Sequence, residues 1–171
     1  MLEELKNYVK KVNAKPGEVI QFGWLIIKVT GGSGSLEYEA MDFVGDGRYT
    51  SDLRKVSEIF EKQLATLKLN EAKTELCNHQ QCALVPRELL NEGEINRVYM
   101  IRTHKAERND SGWFIGLDDE SVDIDDHENL IFVSTYSLSI KFPELLPFWL
   151  LPIGFEVDFE NGVPKVHLPK E

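Results

Sequence analysis

The chain has 171 residues, 42% hydrophobic and 28% charged, which suits one domain or two small ones around a real core and excludes wholesale disorder. A net charge of −10 and a pI near 4.9 exclude direct binding to nucleic acid or to an anionic membrane, and leave a basic protein as the partner that charge favours. Two cysteines are too few for a disulfide framework.

Taken in chain order, "MLEELKNYVKKV" puts Leu2, Leu5, Val9 and Val12 at helical spacing and lacks the apolar centre of a signal peptide. "EVIQFGWLIIKVT" (18–30) reads as a strand, "GGSGS" as a turn and "LEYEAMDF" (36–43) as the returning strand. Residues 49–69 read as a helix with Thr50 or Ser51 as N-cap and an apolar stripe of Leu53, Val56, Phe60, Leu64 and Leu67. Residues 70–81 are polar and punctuated, which suits a boundary between an N-terminal α+β segment (1–70), packed on the rest, and a second domain (71–171).

Beyond it come the buried run "CALV", a helical turn "PRELLNEG", a strand "NRVYMIRT" (96–103) and a short strand "GWFIGL". "NLIFVSTYSL" (129–138) is strand-like, and "FPELLPFWLLP" is a compact apolar helix or turn. The longest apolar run, "LLPFWLLPIGF", is too short for a bilayer and is broken by Pro147 and Pro152, so a soluble cytoplasmic protein is expected. "GFEVDFENGVPKVHL" closes the chain as a hairpin: Phe155, Val157 and Phe159 alternate with acids, Asn161-Gly162 suits a type I′ turn, and Pro164 confines the last strand to an edge. The fold class is α+β, with a mixed or antiparallel sheet and a few helices.

Charge is unevenly spread. Residues 1–76 carry 11 basic and 12 acidic side chains, and residues 77–171 carry 8 and 17. No Lys or Arg stands between Arg108 and Lys141, a gap that holds eight acids. A calcium loop of the EF-hand kind needs Gly at its sixth position, and counting from Asp118 or Asp123 gives Asp123 or Glu128 there. Cys77, His79 and Cys82, with His104 or His127 as a fourth ligand, offer zinc chemistry at an irregular spacing, and Cys82 opens an apolar run where a buried free thiol is common. Eight crowded carboxylates suit a defined acid–base pair poorly, and no nucleophile elbow, phosphate loop or His-Glu-x-x-His is present, so neither catalysis nor a cofactor is expected.

In order, "CALVPRELL", "NRVYMIRTHKAERNDSGWFIGLDDE", "DIDDHEN" and "LLPFWLLPIGFEVDFE" resemble the Imm33-like immunity family over roughly residues 77–160, with Asp-Ser-Gly-Trp and Leu-Pro-Ile-Gly as the most specific pieces. The sequence departs from the family pattern at Thr103, where Glu often follows the strand-ending Arg, and at Leu117, which separates Gly116 from the acids. The resemblance implies a bacterial inhibitor without catalysis that binds and neutralises a cognate protein toxin.

The residues support the same picture independently: a dense acidic surface can occupy the basic cleft of a nuclease-like toxin. Asp118, Asp119, Glu120, Asp123, Asp125, Asp126 and Glu128 are the candidate contacts, with Trp113 as the aromatic anchor. A Trp that follows a glycine turn and heads "WFIGL" fits the core better still, and Asp110 fits a turn-forming role through the amides of Ser111 and Gly112. The alternatives are a metal-stabilised domain and a general interaction module of a regulatory pathway.

Overall fold

Charged residues flank Leu5 and Val9 in the first helix, α1 (Leu2–Val12), with Glu3 and Glu4 at its positive end and Lys10 and Lys11 at its negative end. Leu5 and Val9 are buried, so α1 is held by its apolar stripe. A computed structural model describes residues 2–32, 34–43, 47–92, 95–118 and 123–169 of the chain.

Strands β1 (Val19–Phe22) and β2 (Leu25–Gly32) form a hairpin where the sequence suggested one long strand. Gly23, at φ +62°, makes the two-residue turn with Trp24, and a Cβ there would meet the Phe60 ring at 2.9 Å. β3 (Ser35–Met41) and β4 (Tyr49–Thr50) complete an antiparallel sheet in the order β1-β2-β3-β4.

Helix α2 (Arg54–Leu69) begins later than the Thr50 or Ser51 cap predicts, because Thr50 belongs to β4. Thr50 Oγ1 accepts from Asp52 N, and Asp52 Oδ1 from Arg54 N, so the chain turns into the helix through two short polar links. Its buried face is Val56, Ile59, Phe60, Gln63 and Leu67, whereas Leu64 is 40% exposed. Gln63 is admitted to the core because its Nε2 donates to Leu146 O at 2.9 Å.

A second sheet holds β5 (Cys82–Pro86), β6 (Val98–Arg102), β7 (Asp110–Leu117), β8 (Leu130–Ser134), β9 (Glu156–Glu160) and β10 (Val163–His167) in the order β10-β9-β6-β7-β5-β8. Only β5 and β7 run parallel, so the architecture is α+β with one antiparallel and one mixed sheet. Short 3₁₀ helices at Arg87–Asn91, His127–Asn129 and Pro143–Phe148 link these strands.

The segment expected as a strand to residue 138 becomes helix α3 (Thr135–Lys141), because Ser134 Oγ accepts from Ser137 N and caps it. At the last hairpin Asn161 (φ 52°) and Gly162 (φ 74°) take the left-handed conformations of a type I′ turn, and Pro164 lies on edge strand β10.

One contiguous core joins α1, both sheets and α2. Three tryptophans sit at its centre: Trp24 and Trp149 stack at 6.0 Å, and Trp113 meets Trp149 edge-on at 6.1 Å. Residues 70–81 carry no helix or strand yet link the first sheet to α3: His79 Nδ1 accepts from Ile26 N of β2, and Tyr136 N donates to His79 O.

Candidate functional site

Most of β7, the segment that opens the acidic run, is buried, and only Asp110 and Phe114 are half-buried. Ser111, Trp113, Ile115 and Leu117 are buried. Trp113 is 1% exposed, its Nε1 donates to Trp149 O, and it faces the Arg102 guanidinium at 5.7 Å. It is therefore a core residue, which corrects its place among the partner-binding candidates: a buried indole cannot touch a partner seated on this conformation.

Asp110 Oδ1 accepts from Gly112 N at 2.7 Å and its Oδ2 lies 3.0 Å from His104 Nε2, so the Asp-Ser-Gly start of the strand is a structural corner. Gly112, at φ +77°, is required there, since a Cβ would fall 1.9 Å from His104 O.

Past Leu117 the chain turns outward. Asp118 is exposed, and its N–H donates to Arg97 O at 2.7 Å. Asp119 and Glu120 lie outside the described residues. Asp123, Asp125, Asp126 and Glu128 are all exposed. Asp123 Oδ1 accepts from Asp125 N and Asp126 Oδ1 from Glu128 N, so two of the carboxylates shape the loop. Asn129 Nδ2 donates to Asp123 O, and Arg87 Nε to Glu128 O, which pins the loop to the turn after β5.

Three acids that the sequence reading did not single out as contacts extend this surface. Val157 and Phe159 of β9 point inward, so Glu156, Asp158 and Glu160 point outward, and with Asp118 they line an open hollow of about 570 Å³ beside Tyr99 and Arg97. Burial, with Glu156 and Asp118 nearby, pushes the Tyr99 hydroxyl above its ordinary pKa. His167 Nε2 lies 2.7 Å from Asp158 Oδ2 on the same face. The alternation of acids with Phe and Val in "FEVDFE" is the signal that could have found them.

The candidate metal ligands are engaged in packing. Cys77 Sγ donates to Trp149 O at 3.1 Å, and burial raises its pKa to about 12. His79 Nδ1 accepts from Ile26 N, and burial against Trp24, Phe43 and Tyr136 lowers its pKa to about 4. Cys82 is half-buried on β5, with burial first and Asp110 second raising its pKa. Among the described residues no three His, Cys, Asp or Glu side chains are grouped to hold a metal ion.

Arg102, the strand-ending arginine, was also passed over as a residue with work to do. It is fully buried, and its guanidinium donates to the carbonyls of Glu75, Leu76, Trp149 and Leu151. Burial lowers its pKa, with Cys77 and Glu75 opposing that shift.

The fold and this acidic surface define a small α+β protein whose distinctive chemistry is displayed negative charge. A sequence profile of the Imm33-like domain matches residues 62–167, and the chain belongs to that family. The family name is that of an immunity protein. The match begins inside α2 and runs to the end of β10. Neither the curated proteins nor the solved structures contain a match. No helix among the described residues is long and apolar enough to cross a membrane.

Proposed function

We propose that this protein binds and neutralises a cognate bacterial toxin in the cytoplasm, without catalysis, and that its acidic surface meets a basic, nuclease-like face of that toxin. Membership of the Imm33-like family carries the reading. Its physical support is the run of exposed carboxylates after β7, continuous in sign from Arg108 to Lys141. Such a surface accelerates encounter with a basic partner, up to ~10⁸ M⁻¹s⁻¹ at low salt, and salt slows it.

The test is charge reversal at Asp118, Asp125 and Glu128 together, since Asp123 and Asp126 hold the loop. The expected triple Lys variant folds as before, associates with the toxin at least about tenfold more slowly at low salt, and protects cells poorly. Full protection by that folded variant would remove the loop from the mechanism.

A further inference from the structure

Register alone assembles a surface on the face of the six-stranded sheet opposite the core. His167 pairs with Glu156, Glu156 with Ile101, Ile101 with Phe114, Phe114 with Leu84, and Leu84 with Phe132. Residues directly opposite one another share a face, so these six side chains form one row across all six strands. Their chain neighbours Val157, Met100, Trp113, Ile115, Ala83 and Val85 are the buried ones, which places the row on the other side. With five gaps of ~4.8 Å, the row is about 24 Å long, close to the span of a standard interface patch.

The row is polar at one end and apolar at the other. Glu156, with Asp158 and Glu160 on the same strand face, makes a side that Asp118 continues, four acids with Lys165 opposite Asp158 and Arg97 lining the same hollow, so the side is acidic in balance. Ile101, Phe114, Leu84 and Phe132 make the apolar side, and the Tyr99 ring lies 6.0 Å from that of Phe114. Gly116 leaves room for Tyr99 to lie flat, since a Cβ there would meet the ring at 2.3 Å. Phe132, on edge strand β8, is 62% exposed, and it follows the acidic loop by four residues. Two open hollows of about 570 and 420 Å³ adjoin on the face and share Glu156 and Asp158.

We infer that this sheet face seats a basic protein through an apolar contact at its β8 end, with Phe132 as the anchor and Glu156, Asp158, Glu160 and Asp118 as the charged side. The inference rests on the toxin-binding reading and supplies what an acidic loop lacks. Charge gives encounter rate and selectivity, whereas affinity comes from a few desolvated aromatic anchors ringed by weaker contacts. Trp113 cannot be that anchor, and Phe132 stands in the right place for it. A second copy of this chain fits badly. A two-fold axis would lay the carboxylate side of one copy on that of the other, four acids facing four with Lys165 among them, or on its phenyl side, where the charge would be buried in apolar surroundings.

The experiment titrates the full chain with a catalytically inactivated toxin, the product of the gene adjacent to its own, and measures association and dissociation rates at two salt concentrations. Phe132→Ala is expected to weaken binding at least about 30-fold, chiefly through faster dissociation, with an unchanged melting temperature because the ring is exposed. Glu156→Lys with Glu160→Lys is expected to slow association about tenfold at low salt and less at high salt. Leu69→Ala, on the far end of α2 where the side chain is 84% exposed, is expected to change nothing.

If the unaltered chain binds while Phe132→Ala and the double Lys variant bind within twofold of it, the sheet-face assignment is overturned and toxin binding stands. A chain that does not bind the toxin at all removes both readings. A dimer in light scattering that Phe132→Ala dissolves overturns the assignment in favour of self-association.

Discussion

Arg102→Met tests how the chain between α2 and β5 is held. The guanidinium donates at 2.8 Å to Glu75 O, 3.0 Å to Leu151 O, 3.2 Å to Leu76 O and 3.3 Å to Trp149 O. Trp149 O would keep Cys77 Sγ and Trp113 Nε1 as donors, so three carbonyls lose a partner. At about 1 kcal/mol for each orphaned acceptor the loss is roughly 3 kcal/mol. Met recovers apolar contact in the same volume and removes the cost of burying a charge, which offsets part of the loss. No buried countercharge is left behind, so the net cost is about 1–2 kcal/mol, or roughly 5 °C in melting temperature for a chain of this size.

Arg102→Lys should fare no better, because an ammonium cannot span carbonyls on two separate segments and loses more hydration on burial. Urea unfolding at neutral pH measures both. A cost under about 0.5 kcal/mol for Arg102→Met would refute the claim that these bonds hold residues 75–76 against 149–151.

Three further outcomes follow from the buried groups. His79 has a folded pKa of about 4 against an ordinary 6.5, so between those values the unfolded chain binds the extra proton. Stability should be complete above pH 6.5 and fall by up to about 3 kcal/mol as the pH drops to 4, and urea titrations of His79→Gln should lose that slope. Cys77, buried with its pKa near 12, should react with an aromatic disulfide reagent only after denaturation, whereas Cys82 should react slowly in the folded protein; two fast thiols would contradict the packing. Gly112→Ala should cost about 2–3 kcal/mol in thermal unfolding, since its Cβ would collide with His104 O at a positive φ.

The elements most legible in the sequence are those whose period and punctuation agree. α1 and the last hairpin are of this kind: the hairpin has alternating Phe and Val on β9, an Asn-Gly turn and a proline that only an edge strand tolerates. Errors fall where one composition serves two conformations. "QFGWLI" is β-rich throughout, and only the φ of Gly23 reveals that it folds back on itself. "VSTYSL" is strand-like by residue type, yet Ser134 caps a helix there, a contact decided by one hydroxyl. The acids of the site were legible as a run along the chain, whereas Glu156, Asp158 and Glu160 join it only because β6 pairs with both β7 and β9.

On the toxin-binding proposal, that pairing separates preset contacts from those ordered only on binding. A loop of carboxylates that must be ordered on binding loses side-chain and backbone entropy at that step, which reduces its contribution to affinity. Glu156 and Asp158 stand on a central strand paired on both sides, with a Val and a Phe of the same strand locked in the core, so their positions are set before any partner arrives. The loop from Asp123 to Glu128 is organised more weakly, by its own Asp123 and Asp126 and by Arg87. On the toxin-binding proposal the surfaces suit different tasks: the loop and the strand acids supply charge for capture, and the aromatics of the sheet face supply retention. On that division, loop substitutions act on the association rate and sheet-face substitutions at Phe132 act on the dissociation rate. A loop reversal that changed dissociation alone would place the retaining contacts in the loop instead.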